Sequence, residues 1–427
     1  MIIVLVVTFF LLMILGIPVG FAIGSSTLIA LLFQNDIPLV VIPQIMFGGV
    51  DRYVFLAMPF FILTGVAMTE LELTDRVVKI ADALVGHMRG GLAQINIVAS
   101  IIFGGIQGSG NADTAAIGSL LIPSMIKDGY SKGYSCAVTA SSSTLAPIIP
   151  PSMMMVVYGG ISGVSIGEMF LAGFIPGFIM AALLMVVAYI YAVRGAQSGK
   201  RKSRFSYQNV LSAILWGGPA LLTAFIIIGG ILGGVFTPTE SGATAAVYTL
   251  LISAFYYKTL TWKRFWKIFV NGGLITAMCG IILSCSSVFN WILTSAEIPT
   301  KILNFMLGMG LSRTAIVLCI IVFVYCVGFF MDVMASMIIL VPLLAPIGLQ
   351  LGYDSVNWGV LIVLLFCMGG ITPPLGMNLF IATSIAGCKY TETAKAVIPF
   401  VLILVIAVFL VAFIPSLTTF LPSLLMR

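Results

Sequence analysis

Two prolyl-prolyl pairs, Pro150-Pro151 and Pro373-Pro374, stand 223 residues apart inside apolar segments of a 427-residue chain. Proline has no amide hydrogen and clashes with the preceding helical turn. The stretches TLAPIIPPSMM (144–154) and GGITPPLGMN (369–378) therefore predict broken helices whose carbonyls lack helical partners. Each break has oxygens nearby. Gln107, Ser109, Asn111 and Asp113 lie in or beside a glycine-rich stretch before the first break, which itself offers Ser141, Ser142, Ser143, Thr144 and Ser152. Gly328 and Asp332 precede the second break, which offers Gly369, Gly370, Thr372 and Asn378. Carbonyl, hydroxyl and carboxylate oxygens bind hard cations such as sodium, and free N–H groups at helix starts bind anions. No G-x-S-x-G, H-E-x-x-H or Walker A pattern accompanies them, so the residues point to binding and not to hydrolysis or ATP drive.

Taken singly, a serine or threonine in an apolar helix is as readily explained by bonding back to its own helix. The duplicated pattern is harder to explain that way. Asp113 and Asp332 stand apart, because an acid near the membrane centre costs roughly 3 kcal/mol on an insertion scale. Either also suits the N-cap of the helix that follows its tip. Neither tip nor break holds a Lys or Arg. An anion there must rely on helix dipoles, hydroxyls and bound sodium.

The elements that position these residues must lie in a bilayer. Hydrophobic residues make up 60% of the chain and charged ones 8%, far from a soluble domain. Many apolar runs approach the roughly 20 residues that span hydrocarbon. The first run, 2–15, lacks a basic leader and an A-x-A site and reads as a retained helix, not a signal peptide. The seven cysteines show no C-x-x-C spacing and suit packing better than metal ligation. The net charge of +6 comes from short loops, which indicates membrane topology and not nucleic-acid binding.

Helices are expected at 2–15 and 19–33, at 53–68, from 135 into the first break, and at 166–193. Residues 73–88 have the period of an amphipathic interfacial helix. Residues 91–127, interrupted at Gly104–Asn111, predict a re-entrant hairpin, as do 312–347 around Gly328–Asp332. Residues 194–207 form a basic linker. Beyond it lie spans at 211–232, 243–257 and 274–293, a basic aromatic loop at 258–267, an amphipathic piece at 297–307 and a closing span at 396–413. Sliding the halves by 223 residues superposes Gly129-Tyr130 on Gly352-Tyr353 and Ser109 on Asp332, while Pro18 meets Pro238 at 220. The chain is thus read as two repeats, 1–193 and 208–427, each with five crossings and one hairpin. An odd number inverts the second repeat. Sixteen of the 20 Lys and Arg residues then fall on the cytoplasmic side, leaving Arg52, Lys301, Arg313 and Arg427 outside, where both termini are expected.

GIPVG (16–20), SGNADTAAIGSLLIPSM (109–125), 147–151, GVFTPTE (234–240) and 370–376 together resemble the large membrane subunit of tripartite ATP-independent periplasmic (TRAP) transporters over essentially the whole chain. The resemblance leans toward the sialic-acid branch over the C4-dicarboxylate branch. It implies a multi-pass protein of the bacterial inner membrane that imports an organic acid with sodium. A periplasmic substrate-binding protein would deliver the acid. A small four-helix membrane subunit, which this sequence does not contain, would complete the permease. It further implies an elevator motion, with 91–162 and 312–387 carrying substrate past a scaffold through the amphipathic arms. By motif position, Ser109, Asn111, Ser143 and Thr144 would hold one sodium, and Gly328, Asp332, Gly369 and Thr372 another. Substrate would lie near Asp113, Ser152 and Asn378. A binding-protein-independent carrier, a channel or an intramembrane enzyme are the competing readings.

Overall fold

The computed structural model describes residues 1–34, 38–195, 197, 205–374 and 376–426. Among these every regular element is helical. Most of the basic linker, including 198–204, lies outside the described residues. The first half comprises α1 (Ile2–Ile14), α2 (Val19–Gln34), α3 (Val41–Val50), α4 (Ala57–Glu70), α5 (Thr74–Val85), α6 (Gly91–Gln107), α7 (Gly110–Lys127), α8 (Lys132–Ser142), α9 (Met153–Ser162) and α10 (Ile166–Val193). The second comprises α11 (Tyr207–Leu232), α12 (Pro238–Leu251), α13 (Trp262–Ser295), α14 (Ile298–Gly308), α15 (Arg313–Phe330), α16 (Val333–Gln350), α17 (Ser355–Gly369), α18 (Met377–Ala386), α19 (Tyr390–Phe413) and α20 (Ser416–Leu425).

The N-terminal region is two helices, parted at Gly16–Pro18, as the match of Pro18 to Pro238 requires. The two hairpins are α6–α7 and α15–α16, and the two broken helices are α8–α9 and α17–α18. Among the described residues, six helical stretches are long and apolar enough to cross a bilayer unaided. The broken helices divide their crossing between two shorter pieces, which is why they escape a length criterion.

Two expectations need correction. The basic aromatic loop at 258–267 extends only to Thr261. From Trp262 on it is the start of α13, because the Thr261 hydroxyl accepts the Arg264 amide at 3.3 Å and caps the helix. The chain also does not end on its last span: after Pro415 a further helix, α20, packs back on α10.

Packing separates the helices into two groups. α4 packs on α12 and α13, and α13 also covers α2 and α3. Opposite them, α17 is a buried post, with every side chain from Val356 to Met368 sealed from solvent. α10 and α19 pack on that post, α10 also on α6 and α19 also on α8. The amphipathic helices bridge the groups: α5 lies on both α6 and α11, and α14 on both α13 and α16. The Arg76 guanidinium of α5 sits 3.9 Å from the ring centroids of both Trp216 and Tyr257, a double cation–π contact that anchors this arm to α11 and to the end of α12.

Thr237 and Glu240 form a capping box at the start of α12, with Glu240 accepting the Thr237 amide at 2.8 Å and Thr237 accepting the Glu240 amide at 3.3 Å. Glu240 is therefore a cap residue. The Thr237 amide and hydroxyl hold its carboxyl below the usual range, so its contribution is present at neutral pH and fades as pH falls through that lowered value. Thr237 also shares a hydrogen bond with the Tyr53 hydroxyl at 3.2 Å. Thr237→Ala is expected to lower stability by about 1 kcal/mol. A thermal melt in detergent checks this, and the shift should shrink in acid.

Candidate ion and substrate site

The two halves interlock. The second arm of each hairpin packs on the second piece of the other half's broken helix, α7 on α18 and α16 on α9. This exchange brings both hairpin tips and both breaks to one place. There they enclose a cavity of about 370 Å³ lined by Ser109, Asn111, Thr144, Asp332, Cys367 and Asn378, among others, with Ile275 and Cys279 of α13 as its remaining wall.

The tips touch directly. Asn111 Nδ2 donates to Asp332 Oδ1 at 3.2 Å across 221 residues of sequence. The other Asp332 oxygen accepts the Met334 amide at 2.9 Å and caps α16. Asp332 thus combines the cap role with a place on the cavity. Gly108 ends α6 at φ +65°, and a Cβ there would stand 2.6 Å from the Met153 amide. The first tip can therefore lie flat against the start of α9.

Thr144 shows how a hydroxyl can face an ion. It donates its proton to Ser141 O at 2.7 Å, which leaves its lone pairs as the free function on the cavity wall. Ser143 likewise donates to Thr139 O at 2.8 Å, but it is fully buried and off the cavity. Gly328 and Gly369 meet backbone to backbone: a Cβ on Gly369 would lie 2.5 Å from Gly328 Cα, so α15 and α17 pack here at a distance only glycine permits. Thr372 donates to Met368 O at 2.8 Å and shares a 2.9 Å hydrogen bond with the Tyr325 hydroxyl.

Of the residues expected at the substrate, Asn378 lines the cavity. Ser152 does not. It caps α9 by accepting the Met155 amide at 3.1 Å and donates to Pro147 O, which bridges the first break. Asp113 is also off the cavity, fully buried beside Ser100 and Ser143. It stands one turn into α7, with its side chain beside Ser100 of α6 and Ser143 at the end of α8 and not on the cavity wall. Both hydroxyls beside it also reach other acceptors, Ser143 the Thr139 carbonyl and Ser100 the Ser142 Oγ at 3.0 Å.

The sequence reading did not single out a buried network behind this site. Asn96 donates to Thr139 Oγ1 at 2.6 Å, and Ser142 donates to Asn96 Oδ1 at 3.0 Å. Together with Ser100 these bonds fasten the first hairpin arm to the broken helix. Asn96 and Ser100, one turn apart on an apolar helix, are the signal that was present. Cys279, Ile275 and Tyr325 carried none.

Two hairpins thus meet two broken helices at one cavity, the arrangement of a membrane protein built around an internal binding site. The fold is like that of the YdaH transporter of Alcanivorax borkumensis, with a TM-score of 0.63 over 87% of this chain and 88% of that one at 12% identity. It is also like MtrF of Neisseria gonorrhoeae, with a TM-score of 0.54 over 87% and 82% at 13% identity. The family model for the DctM component of tripartite ATP-independent periplasmic transporters matches residues 6–417, and the chain belongs to that family. It is accordingly a multi-pass inner-membrane transport protein and not an enzyme. The sialic acid TRAP transporter large permease protein SiaM of Vibrio cholerae is 36% identical over 96% of this chain and 95% of its own. The C4-dicarboxylate large permease DctM of Pseudomonas aeruginosa is 35% identical over 88% of each. The isethionate permease DctMQ of Oleidesulfovibrio alaskensis is 35% identical over 96% of this chain, which spans 65% of that protein's length.

Proposed function

We propose that this chain is the large permease subunit of a sodium-driven importer of an organic acid. A periplasmic binding protein delivers the acid, and a small four-helix membrane subunit works beside this chain. The observation that supports this best is the meeting of both hairpin tips at one cavity through Asn111 and Asp332. The donor set suits sodium: one carboxylate, hydroxyls and amide oxygens, with the Thr144 proton already committed. Ser109, Asn111 and Thr144, with Ser143 behind them, form one ion site in this reading. Asp332 belongs to the other, where Gly328, Gly369 and Thr372 supply close-packed backbone and a hydroxyl. Asn378 positions the substrate, Ser152 acts as a cap, and Asp113 acts from behind the site.

The relatives named for isethionate, sialic acid and C4-dicarboxylates are 35–36% identical, so identity does not choose among them. What those acids share is an anionic carboxylate or sulfonate. Movement in this reading is of the elevator type. Because α10 and α19 pack on α6, α8 and α17, they travel with 91–162 and 312–387, while α5 and α14 flex as arms. The competing reading is a channel or carrier that needs no binding protein.

Liposome uptake decides between the two. With the small subunit co-reconstituted, uptake is expected to be silent with free acid and to begin when the loaded binding protein is added. Uptake or conductance without it would favour the competing reading.

A further inference from the structure

A second cavity, of about 420 Å³, lies beyond the first along α13. Ile275 and Cys279 line the first cavity; Leu283, Ser286, Ser287, Asn290 and Thr294 line the second. These positions recur every three or four residues, so a single stripe of α13 walls both. From Cys279 to Asn290 is about 16 Å along the helix axis. The stripe also changes character: apolar up to Leu283, it becomes hydroxyl- and amide-bearing toward the end of α13 away from the basic Trp262–Lys267 turn. The sequence places that end outside the cytoplasm.

This second cavity contains what the first lacks, a cation. Arg52 lines it, and one guanidinium N–H donates to Gly160 O at 3.2 Å, near the end of α9. The guanidinium has further donors to offer. Two oxygens there have no hydrogen bond among the described residues: Ser286 Oγ, on a fully buried residue, and Asn290 Oδ1. Asn290 is held in place by donating through Nδ2 to Ile338 O at 3.1 Å. A buried polar atom left unpaired is costly and marks where a ligand or water belongs.

We propose that Arg52, Ser286 and Asn290 form an outer staging site for a small hydroxylated organic anion. Arg52 pairs with the carboxylate or sulfonate. Ser286 donates to the anion, and Asn290 Oδ1 accepts from the hydroxyl. Leu283 and Ile338 give this site apolar walls, and the walls of the inner cavity hold no cation among the described residues. An anion therefore meets the positive charge of Arg52 before the ion sites and not at them. The substrate role rests on the transport reading above; the charge selectivity of the cavity does not.

The test uses Thr294→Cys, a cavity-lining position outside the triad, labelled in intact vesicles with methanethiosulfonates of opposite charge. Peptide mass mapping counts modification at position 294 alone, and rates are normalised to a free thiol. The sulfonate reagent is expected to react about tenfold faster than the trimethylammonium reagent. Adding Arg52→Gln should bring the ratio to about one, and Arg52→Lys should restore most of it. Equal rates in the parent, or a preference that survives Arg52→Gln, would overturn the proposal. Hydroxyethanesulfonate should protect the introduced thiol several-fold better than ethanesulfonate, and equal protection would remove Asn290 from the site. In uptake assays, Arg52→Gln should raise KM about tenfold with kcat and sodium dependence retained. If the unsubstituted chain takes up no acid while the charge selectivity holds, the transport reading fails and the anion site stands.

Discussion

Asp332→Asn is expected to cost the transporter about tenfold to a hundredfold in sodium affinity, ~1.4 to 2.7 kcal/mol. Three features make this substitution informative. Asparagine is as good an N-cap as aspartate, so the bond to the Met334 amide and the start of α16 survive. The side chain keeps its size, so the contact with Asn111 survives by an amide rotation. What disappears is the one carboxylate among the described residues that line the cavity. Ser109→Ala, by contrast, removes a neutral hydroxyl and should cost less than about tenfold. Uptake measured against sodium concentration for both variants checks the order. A larger loss in Ser109→Ala would place the dominant ion site at the other tip.

Gly369→Val should damage the fold itself. Its Cβ would meet Gly328 Cα at 2.5 Å and the Gly328 carbonyl carbon at 2.7 Å. Both are backbone atoms, so no rotamer change makes room. The helices must part to admit it, and α17 is the post on which α10, α15 and α19 pack. Overpacking of this kind costs ~1 to 3 kcal/mol, and the rigid neighbours here put Gly369→Val at the upper end. A fluorescence-detected melt of the purified variant should show a lowered midpoint. An unchanged midpoint would contradict a rigid contact between Gly328 and Gly369. Ser143→Ala, which removes a buried hydroxyl and adds no atom to a packed contact, is the control that should melt closer to the parent than Gly369→Val.

Proline and glycine made much of this architecture readable in advance. Pro147, Pro150 and Pro151 interrupt a helix, and the repeat of that interruption at Pro373-Pro374 pointed to both broken helices and to the hairpins facing them. What sequence could not convey is direction. Asp113 and Asp332 each lie near a tip, yet Asp332 is a cap residue that reaches the cavity, while Asp113, a turn further along its helix, points back toward Ser100 and Ser143. Depth in a membrane segment follows from residue number; the face a side chain turns to depends on what packs beside it. The same limit hid the interlock of α7 with α18 and of α16 with α9, which only tertiary packing creates. α20 escaped for another reason: it is ten residues long with an internal Pro422, below what any periodicity reading resolves.

The proposed coupling to sodium is tested most directly by replacing the ion. Liposomes holding this chain with its small subunit, supplied with loaded binding protein, should take up acid when an inward sodium gradient is imposed. Uptake should fall to background when potassium replaces sodium at equal ionic strength. Undiminished uptake in potassium, with no sodium gradient present, would contradict the claim that the two tips and two breaks are built to hold sodium.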